Sequence, residues 1–308
     1  MTDLPTVIHT LRAEIGEGVD AVAYQCAGTW SKCFTFRLHG VELVARFGPH
    51  VVDFAKDRRA AGFAAHGVPV PGFAALFETE DGWCAITERV WGAEIENVNR
   101  RGWELIERPL LDAIAAMWTI DLSTATGFGH WDAAGNAPML TWSSVLLAVA
   151  EDRPEARIHG WRHKIGQSPV GLETLRTALA ELRPIAGACP HDERSVVHAD
   201  LLHGNALVVE DRINGIFDWG ASMYGDPVFE PAWVSFWAPW HPGIDGPGFV
   251  DRWRVRAMSA ERDLSAFDER LRACHLSIGV EHLAYNAYRG RWDVLERVAA
   301  RIRDAIDG

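Results

Sequence analysis

The N-terminal part of the chain is built from short runs rich in aromatic and β-branched residues. Residues 22–26, 33–38 and 41–47 are such runs and predict strands, the second and third joined across the tight turn His39-Gly40. Residues 54–66 have helical spacing and stop at Gly67. The following Val68-Pro69-Val70-Pro71-Gly72 must be extended, because proline keeps the residue before it out of the helical region. Residues 73–77 and 84–88 predict another strand pair around Glu78-Thr79-Glu80-Asp81-Gly82. After Val90-Trp91-Gly92 the period lengthens to that of amphipathic helices, over 105–122, 142–151 and 172–182, then near 263–288 and 292–306. An aromatic-rich segment occupies 227–240. The expectation is an α+β chain with a small β-rich part over 1–90, a hinge at about 88–92 and a larger, mainly helical part over 91–308.

Composition narrows the class. The 308 residues are 48% hydrophobic and 23% charged, the balance of a folded protein. A net charge of −12 argues against nucleic acid or an anionic membrane as partner and favours a cationic ligand. The five cysteines, Cys26, Cys33, Cys84, Cys189 and Cys274, include no Cys-x-x-Cys pair and read as buried thiols in a reducing compartment. The opening Met1-Thr2-Asp3-Leu4-Pro5-Thr6 lacks the basic and apolar regions of a signal peptide, and the apolar run 145–150 is too short to span a bilayer. These features predict a cytoplasmic protein, expected to be monomeric.

The chemistry is concentrated in Ser195-Val-Val-His-Ala-Asp-Leu-Leu-His-Gly-Asn205. His198, Asp200 and Asn205 stand in a His-x-Asp-x-x-x-x-Asn spacing, and Asp218 follows thirteen residues after the asparagine. Between them, 206–209, a turn over 210–215 and Ile216-Phe217 read as a hairpin. A hairpin brings the chain back to its start, so Asn205 and Asp218 can share one Mg²⁺, with Asp200 placed to orient an attacking hydroxyl and accept its proton. Such residues also serve as turn and cap formers. His198, Asp200 and His203 as ligands of a hydrolytic zinc or iron is a rival reading, but no nearby His or Cys pair completes that set.

Phosphoryl transfer also needs a cation on the phosphates, oriented by an acid on the next helix. Arg46, in Val44-Ala45-Arg46-Phe47, stands where lysine is customary, and Asp57 is the best acidic partner. A phosphate-covering loop is expected at Ala27-Gly28-Thr29-Trp30-Ser31-Lys32, with Thr29 and Ser31 facing the phosphates. There is no Gly-x-x-x-x-Gly-Lys-[Ser/Thr], which argues against a P-loop enzyme. Backbone groups of Glu88 and Val90 would hold the adenine beside Ile86.

Lys56-Asp57-Arg58, Val68-Pro-Val-Pro71, Leu122-Ser-Thr-Ala-Thr-Gly-Phe-Gly129, Val197-His-Ala-Asp200, Asp218-Trp219, Met223-Tyr-Gly-Asp226 and Phe236-Trp-Ala-Pro-Trp240 together resemble the aminoglycoside phosphotransferase family of kinase-like small-molecule kinases. Its narrower segments, 122–129 and 236–240, point to the branch that acts on hygromycin B. The resemblance implies a bilobal protein-kinase-like fold and Mg²⁺-dependent transfer of the γ-phosphoryl group of ATP or GTP to a hydroxyl of a cationic aminoglycoside, giving antibiotic resistance. By the same resemblance Asp200 is the catalytic aspartate and Asn205 and Asp218 hold metal. Arg46 and Asp57 anchor the phosphates, and Glu230, Trp237 and Trp240 line the sugar pocket. His198 would brace the loop, and Glu281 and Asp226 are further acidic candidates. His203 stands where much of the wider family carries proline. A metabolite kinase of the same fold (for an amino alcohol, homoserine or a sugar) and a non-catalytic pseudokinase are the alternatives.

Overall fold

The computed structural model describes residues 3–188 and 193–307. In chain order come helix α1 (Leu4–Ile15), strands β1 (Val19–Ala27), β2 (Lys32–Leu38) and β3 (Val41–Gly48), and helix α2 (Val51–Ala60), continued by a 3-10 segment (Ala61–His66). Then follow β4 (Phe73–Thr79), β5 (Gly82–Glu88), β6 (Ala93–Glu94) and α3 (Arg100–Met117). The helical part holds β7 (Gly129–His130), α4 (Trp142–Ala148), α5 (Trp161–Ile165), α6 (Pro169–Ala188) and β8 (Ser195–Val197). The chain continues with β9 (Ala206–Val209), β10 (Arg212–Ile216), β11 (Met223–Gly225), α7 (Phe229–Trp237), α8 (Gly246–Ser259), α9 (Phe267–Arg289) and α10 (Trp292–Asp307). Among the described residues no helix is long and apolar enough to cross a membrane.

Two compact units divide the chain, and they are not contiguous in sequence. One holds the residues up to Asp121 with Trp131–Asn136 and Asp200–Ser222; the other holds Leu122–His130, Ala137–Ala199 and Met223 onward. The hairpin after Asp200 falls in the same unit as the N-terminal strands.

The first unit is organised by an antiparallel sheet in the order β1-β2-β3-β5-β4. Its apolar face is formed by Phe34, Phe36, Leu43, Ala45, Phe47, Cys84 and Ile86, and Val7 and Leu11, one turn apart on α1, belong to the same core. Along β3 the buried positions alternate, so Arg46 falls on the face opposite Ala45 and Phe47. A second small sheet, β10-β9-β6, carries the hairpin read from the sequence. Its turn is tighter than the six residues expected: Val209 pairs with Arg212, leaving Glu210 and Asp211 at the tip, and Glu210 has φ 56°.

In the second unit a three-stranded sheet runs β7-β11-β8, and α9 packs against α5, α6, α7 and α10. Asp226, weighed above as a substrate acid, is fully buried; Arg270 donates to its two oxygens at 2.7 Å each, and Asp226 also caps Val228 N–H. That pairing satisfies its charge inside the fold. Glu281 lies half-buried on α9. The cysteine expectation needs correction: Cys84 and Cys274 are buried, whereas Cys26 is exposed and Cys33 half-buried, because the end of the β1–β2 hairpin lies beyond the apolar core. Cys189 lies outside the described residues.

Candidate active site

The hairpin register assembles the first part of the site. Ala206 pairs with Ile216, and Phe217 N–H donates to Asn205 O at 3.0 Å, so Asn205 and Asp218 emerge side by side from the open end of β9–β10. Asp218 adopts a left-handed backbone, φ 60° and ψ 61°, a conformation that costs a non-glycine residue roughly 1 kcal/mol and turns the chain sharply out of the strand.

Arg46 reaches across from β3. It donates from one terminal nitrogen to Asp57 Oδ2 at 2.6 Å and from the other to Asp218 Oδ1 at 2.8 Å, with its guanidinium 5.4 Å from the Phe54 ring centroid. Asp57 Oδ1 in turn accepts Trp219 N–H at 2.8 Å. Burial pushes the Asp57 carboxyl up to about 6 in spite of the Arg46 charge. Lys56, fully buried beside it on α2, donates to Gly220 O at 2.9 Å and Ser222 O at 2.8 Å, fixing the segment that follows Asp218. The sequence suggested no role for Lys56, since a buried lysine is recognisable only once its carbonyl partners are in place.

Thr29 and Ser31, the expected covering residues, line one cleft with Arg46 and Asp218, and His50, Asp53 and Phe54 complete it. Gly48 allows the close approach of this loop: a Cβ there would lie 2.7 Å from Trp30 O. Glu88 and Val90 do not line this cleft. Glu88 ends β5, and its N–H donates to Gly72 O at 2.9 Å, so that amide is not open to an adenine as expected.

The loop of residues 198–205 is held through its backbone. In the second unit, Glu230 accepts from the amides of His198 and Ala199 with one carboxylate oxygen. Glu230, expected in the wall of the sugar pocket, is therefore a loop brace, 1% exposed and facing amides. His198 is fully buried. In the first unit, Gly204 N–H donates to Glu96, which carries no chemistry-bearing sequence signal. Between these holds, Asp200 Oδ1 accepts from His203 Nδ1 at 2.8 Å and Oδ2 from Asn205 Nδ2 at 2.9 Å. Burial raises the Asp200 carboxyl to about 6 against the lowering effect of His203. For His203, burial disfavours the charged ring, but the hydrogen bond and charge of Asp200, with Glu96, outweigh it and raise the imidazole above its ordinary value.

Asn205 Nδ2 also donates to Asp200 O at 2.9 Å, so the amide nitrogen is spent on Asp200 and Oδ1 is the side chain's remaining polar atom. That oxygen and the carboxylate of Asp218 are hard donors of the kind Mg²⁺ takes, and phosphate oxygens and water would complete its shell. The residues present fit the ion. The zinc or iron alternative gains nothing: among the described residues no cluster of three His, Cys, Asp or Glu side chains is placed to hold a metal.

A model of the phosphotransferase enzyme family matches residues 35–267. The chain belongs to this family. Within it, the chain is 28% identical over 291 residues to the hygromycin-B 4-O-kinase of Escherichia coli, spanning 94% of this chain and 81% of that relative. The aminoglycoside phosphotransferase APH(4)-Ia superposes with a TM-score of 0.85 at 25% identity, covering 99% of both chains. A ternary complex of a thermostable mutant of that enzyme with AMP-PNP and hygromycin B gives 0.83 at 25% identity, covering 98% of both. A spectinomycin phosphotransferase shares the fold, with a TM-score of 0.65 at 10% identity over 98% of this chain and 94% of that one. The phosphotransferase fold, α+β with a β-sheet N-terminal part and a helical C-terminal part, is as expected.

Of the remaining sugar-pocket expectations, Trp237 is 5% exposed, its ring 4.7 Å from His282 and 5.1 Å from Trp240. It is committed to packing. Trp240 is half-buried, stacked on Phe236 on one side with the Arg297 guanidinium 5.0 Å from its ring centroid. The spacing of the two tryptophans along 236–240 could not separate these fates.

Proposed function

We propose that this chain transfers the γ-phosphoryl group of ATP or GTP to a hydroxyl of hygromycin B and so confers resistance to it. The observation that carries the reading is the join of Asn205 to Phe217, which sets an asparagine beside Asp218 at the open end of the hairpin that follows Asp200. The hygromycin-B kinase likeness over 94% of the chain supports the acceptor.

In this reading Asp200 orients the acceptor hydroxyl and takes its proton. With its carboxyl near 6 it is ionised at neutral pH yet basic enough to accept. His203 and Asn205 hold separate oxygens of that carboxylate and fix its plane. Asn205 Oδ1 and Asp218 would hold Mg²⁺, which supplies charge neutralisation on the phosphates. Arg46, oriented by Asp57, presents its guanidinium to the phosphates, and Thr29 and Ser31 cover them. Toward the adenine, Val90 and the Glu88 carbonyl are the backbone groups offered. The half-exposed ring of Trp240 is the candidate to lie against a sugar.

The test is phosphate transfer from Mg²⁺-ATP and Mg²⁺-GTP to hygromycin B, read by mass spectrometry of the drug. A product heavier by one phosphate is expected. Asp200→Asn should lower turnover on the order of 10²–10⁴-fold, with nucleotide affinity little changed. Absence of product alongside transfer to another amine or polyol would discard the acceptor, and undiminished turnover in Asp200→Asn would discard the assignment of the base.

A further inference from the structure

The hairpin that covers the phosphate cleft carries two cysteines opposite each other at its neck. Cys26 on β1 pairs with Cys33 on β2, the next pair is Ala27 with Lys32, and Gly28 N–H donates to Ser31 O at 2.9 Å to close the tip. Directly opposed residues of an antiparallel pair have Cα atoms about 4.5–5.5 Å apart and side chains on one face. A disulfide bridges Cα separations of about 4.4–6.8 Å. An oxidant can reach the pair, since Cys26 is exposed and Cys33 half-buried. The buried Cys84 is placed differently, with Phe47 and Phe77 as its strand partners. Cys33 pairs on its other side with Arg46, so Cys26, Cys33 and Arg46 form one row across the sheet. The thiols thus share a face with the guanidinium that meets Asp57 and Asp218.

We propose that Cys26 and Cys33 form a reversible disulfide, a modification site at the neck of the phosphate-covering loop, with a peroxide as oxidant. A hydrogen bond from the Cys33 thiol, aided by the charge of Arg46, lowers the Cys26 thiol to about 6 against the effect of burial, making Cys26 the nucleophile at neutral pH. The Cys26 thiolate attacks one oxygen of hydrogen peroxide; the S–O bond forms, the O–O bond breaks and the departing hydroxide leaves as water. The Cys33 sulfur then attacks the sulfenic sulfur, displacing a second water and closing the S–S bond. Two thiols lose two electrons and two protons, and one peroxide becomes two waters. The bond ties the ends of residues 27–32, so the loop that carries Thr29 and Ser31 can no longer shift to follow a bound triphosphate.

The experiment treats the full chain with hydrogen peroxide, quenches with an alkylating agent in acid and maps the peptides by mass spectrometry. AMP-PNP binding is measured before treatment, after it and after dithiothreitol. A linked Cys26–Cys33 peptide is expected, with AMP-PNP affinity weakened roughly tenfold and restored by reduction, as loss of loop adaptation implies. Cys26→Ser and Cys33→Ser should form no such link and bind AMP-PNP equally before and after peroxide. Alkylated Cys33 beside Cys26 recovered as sulfinic or sulfonic acid, with no linked peptide, would overturn the site. A disulfide that leaves AMP-PNP affinity unaltered would overturn the restraint. The mapping reads thiols alone, so its outcome stands whichever acceptor the enzyme phosphorylates.

Discussion

His203 donates a hydrogen bond from Nδ1 to Oδ1 of Asp200 across 2.8 Å, and it does so from a left-handed backbone with φ 64°. Proline, whose ring fixes φ near −65°, cannot occupy that conformation. Hydrogen bonds to charged groups contribute about 1.5–3 kcal/mol, so His203→Ala should lower kcat by roughly 10- to 100-fold with little change in nucleotide KM. His203→Asn, which tolerates the left-handed region and keeps a donor, should recover part of the loss. Steady-state kinetics of the two variants, with the proline variant as the disrupted extreme, check this.

Arg46 serves two carboxylates with separate nitrogens, which a single ammonium cannot do in the same geometry. Arg46→Lys should therefore keep one partner and release the other, raising the nucleotide Kd by roughly tenfold. Arg46→Ala leaves the buried Asp57 uncompensated and should also destabilise the fold by about 3–5 kcal/mol. Calorimetric titration with AMP-PNP and denaturant unfolding separate the two effects; an unchanged Kd in Arg46→Lys would contradict the anchoring role.

Gly48→Ala places a methyl group 2.7 Å from Trp30 O and 3.4 Å from Ser31 Cβ. Backbone must move to admit it, so the covering loop is pushed from the cleft. The expected result is a stability loss of about 1–3 kcal/mol and weaker AMP-PNP binding, read by the same two methods.

His275 gives the fold a pH dependence independent of catalysis. Burial first and the Arg301 charge second push it down from 6.5 to about 3, while its Nε2 lies 2.7 Å from Ser235 Oγ. Below 6.5 the unfolded chain takes up a proton that the folded one refuses until about 3. This contribution to stability is thus complete above 6.5 and lost as pH falls through that window, by at most about 1.4 kcal/mol per pH unit. His275→Gln should flatten the pH dependence of the urea midpoint between about pH 4 and 6.5, and an identical slope in the variant would count against the assignment.

What could be read from the residues depended on how local the cause was. The strands of the first sheet were legible from their aromatic and β-branched residues, and along β3 the buried positions alternate from Leu43 to Phe47. The β9–β10 hairpin and the Arg46–Asp57 pairing followed from spacing. Helix α1 escaped notice because it buries just Val7 and Leu11, although Asp3 caps Thr6 N–H and Pro5 opens its first turn. Helix α8 was hidden by its Gly246-Pro-Gly start, behind which Phe249, Trp253 and Ala257 keep a helical stripe. The helix expected over 54–66 is α2 with a 3-10 tail, a change of hydrogen-bonding pattern that side-chain periodicity does not encode. Lys56, Glu96 and Glu230 were opaque for a common reason: each meets backbone groups distant in sequence, and no residue pattern marks such a meeting.

Two glutamates grip main-chain amides of the loop 198–205, Glu230 those of His198 and Ala199, Glu96 that of Gly204. Every residue except proline offers the same amide. A grip of this kind acts on the peptide path and not on side chains, so a substitution such as His203→Ala changes what meets the Asp200 carboxylate while the backbone leading to it stays held. The course of the backbone and the setting of the Asp200 carboxylate are in this way assigned to different atoms of the same eight residues.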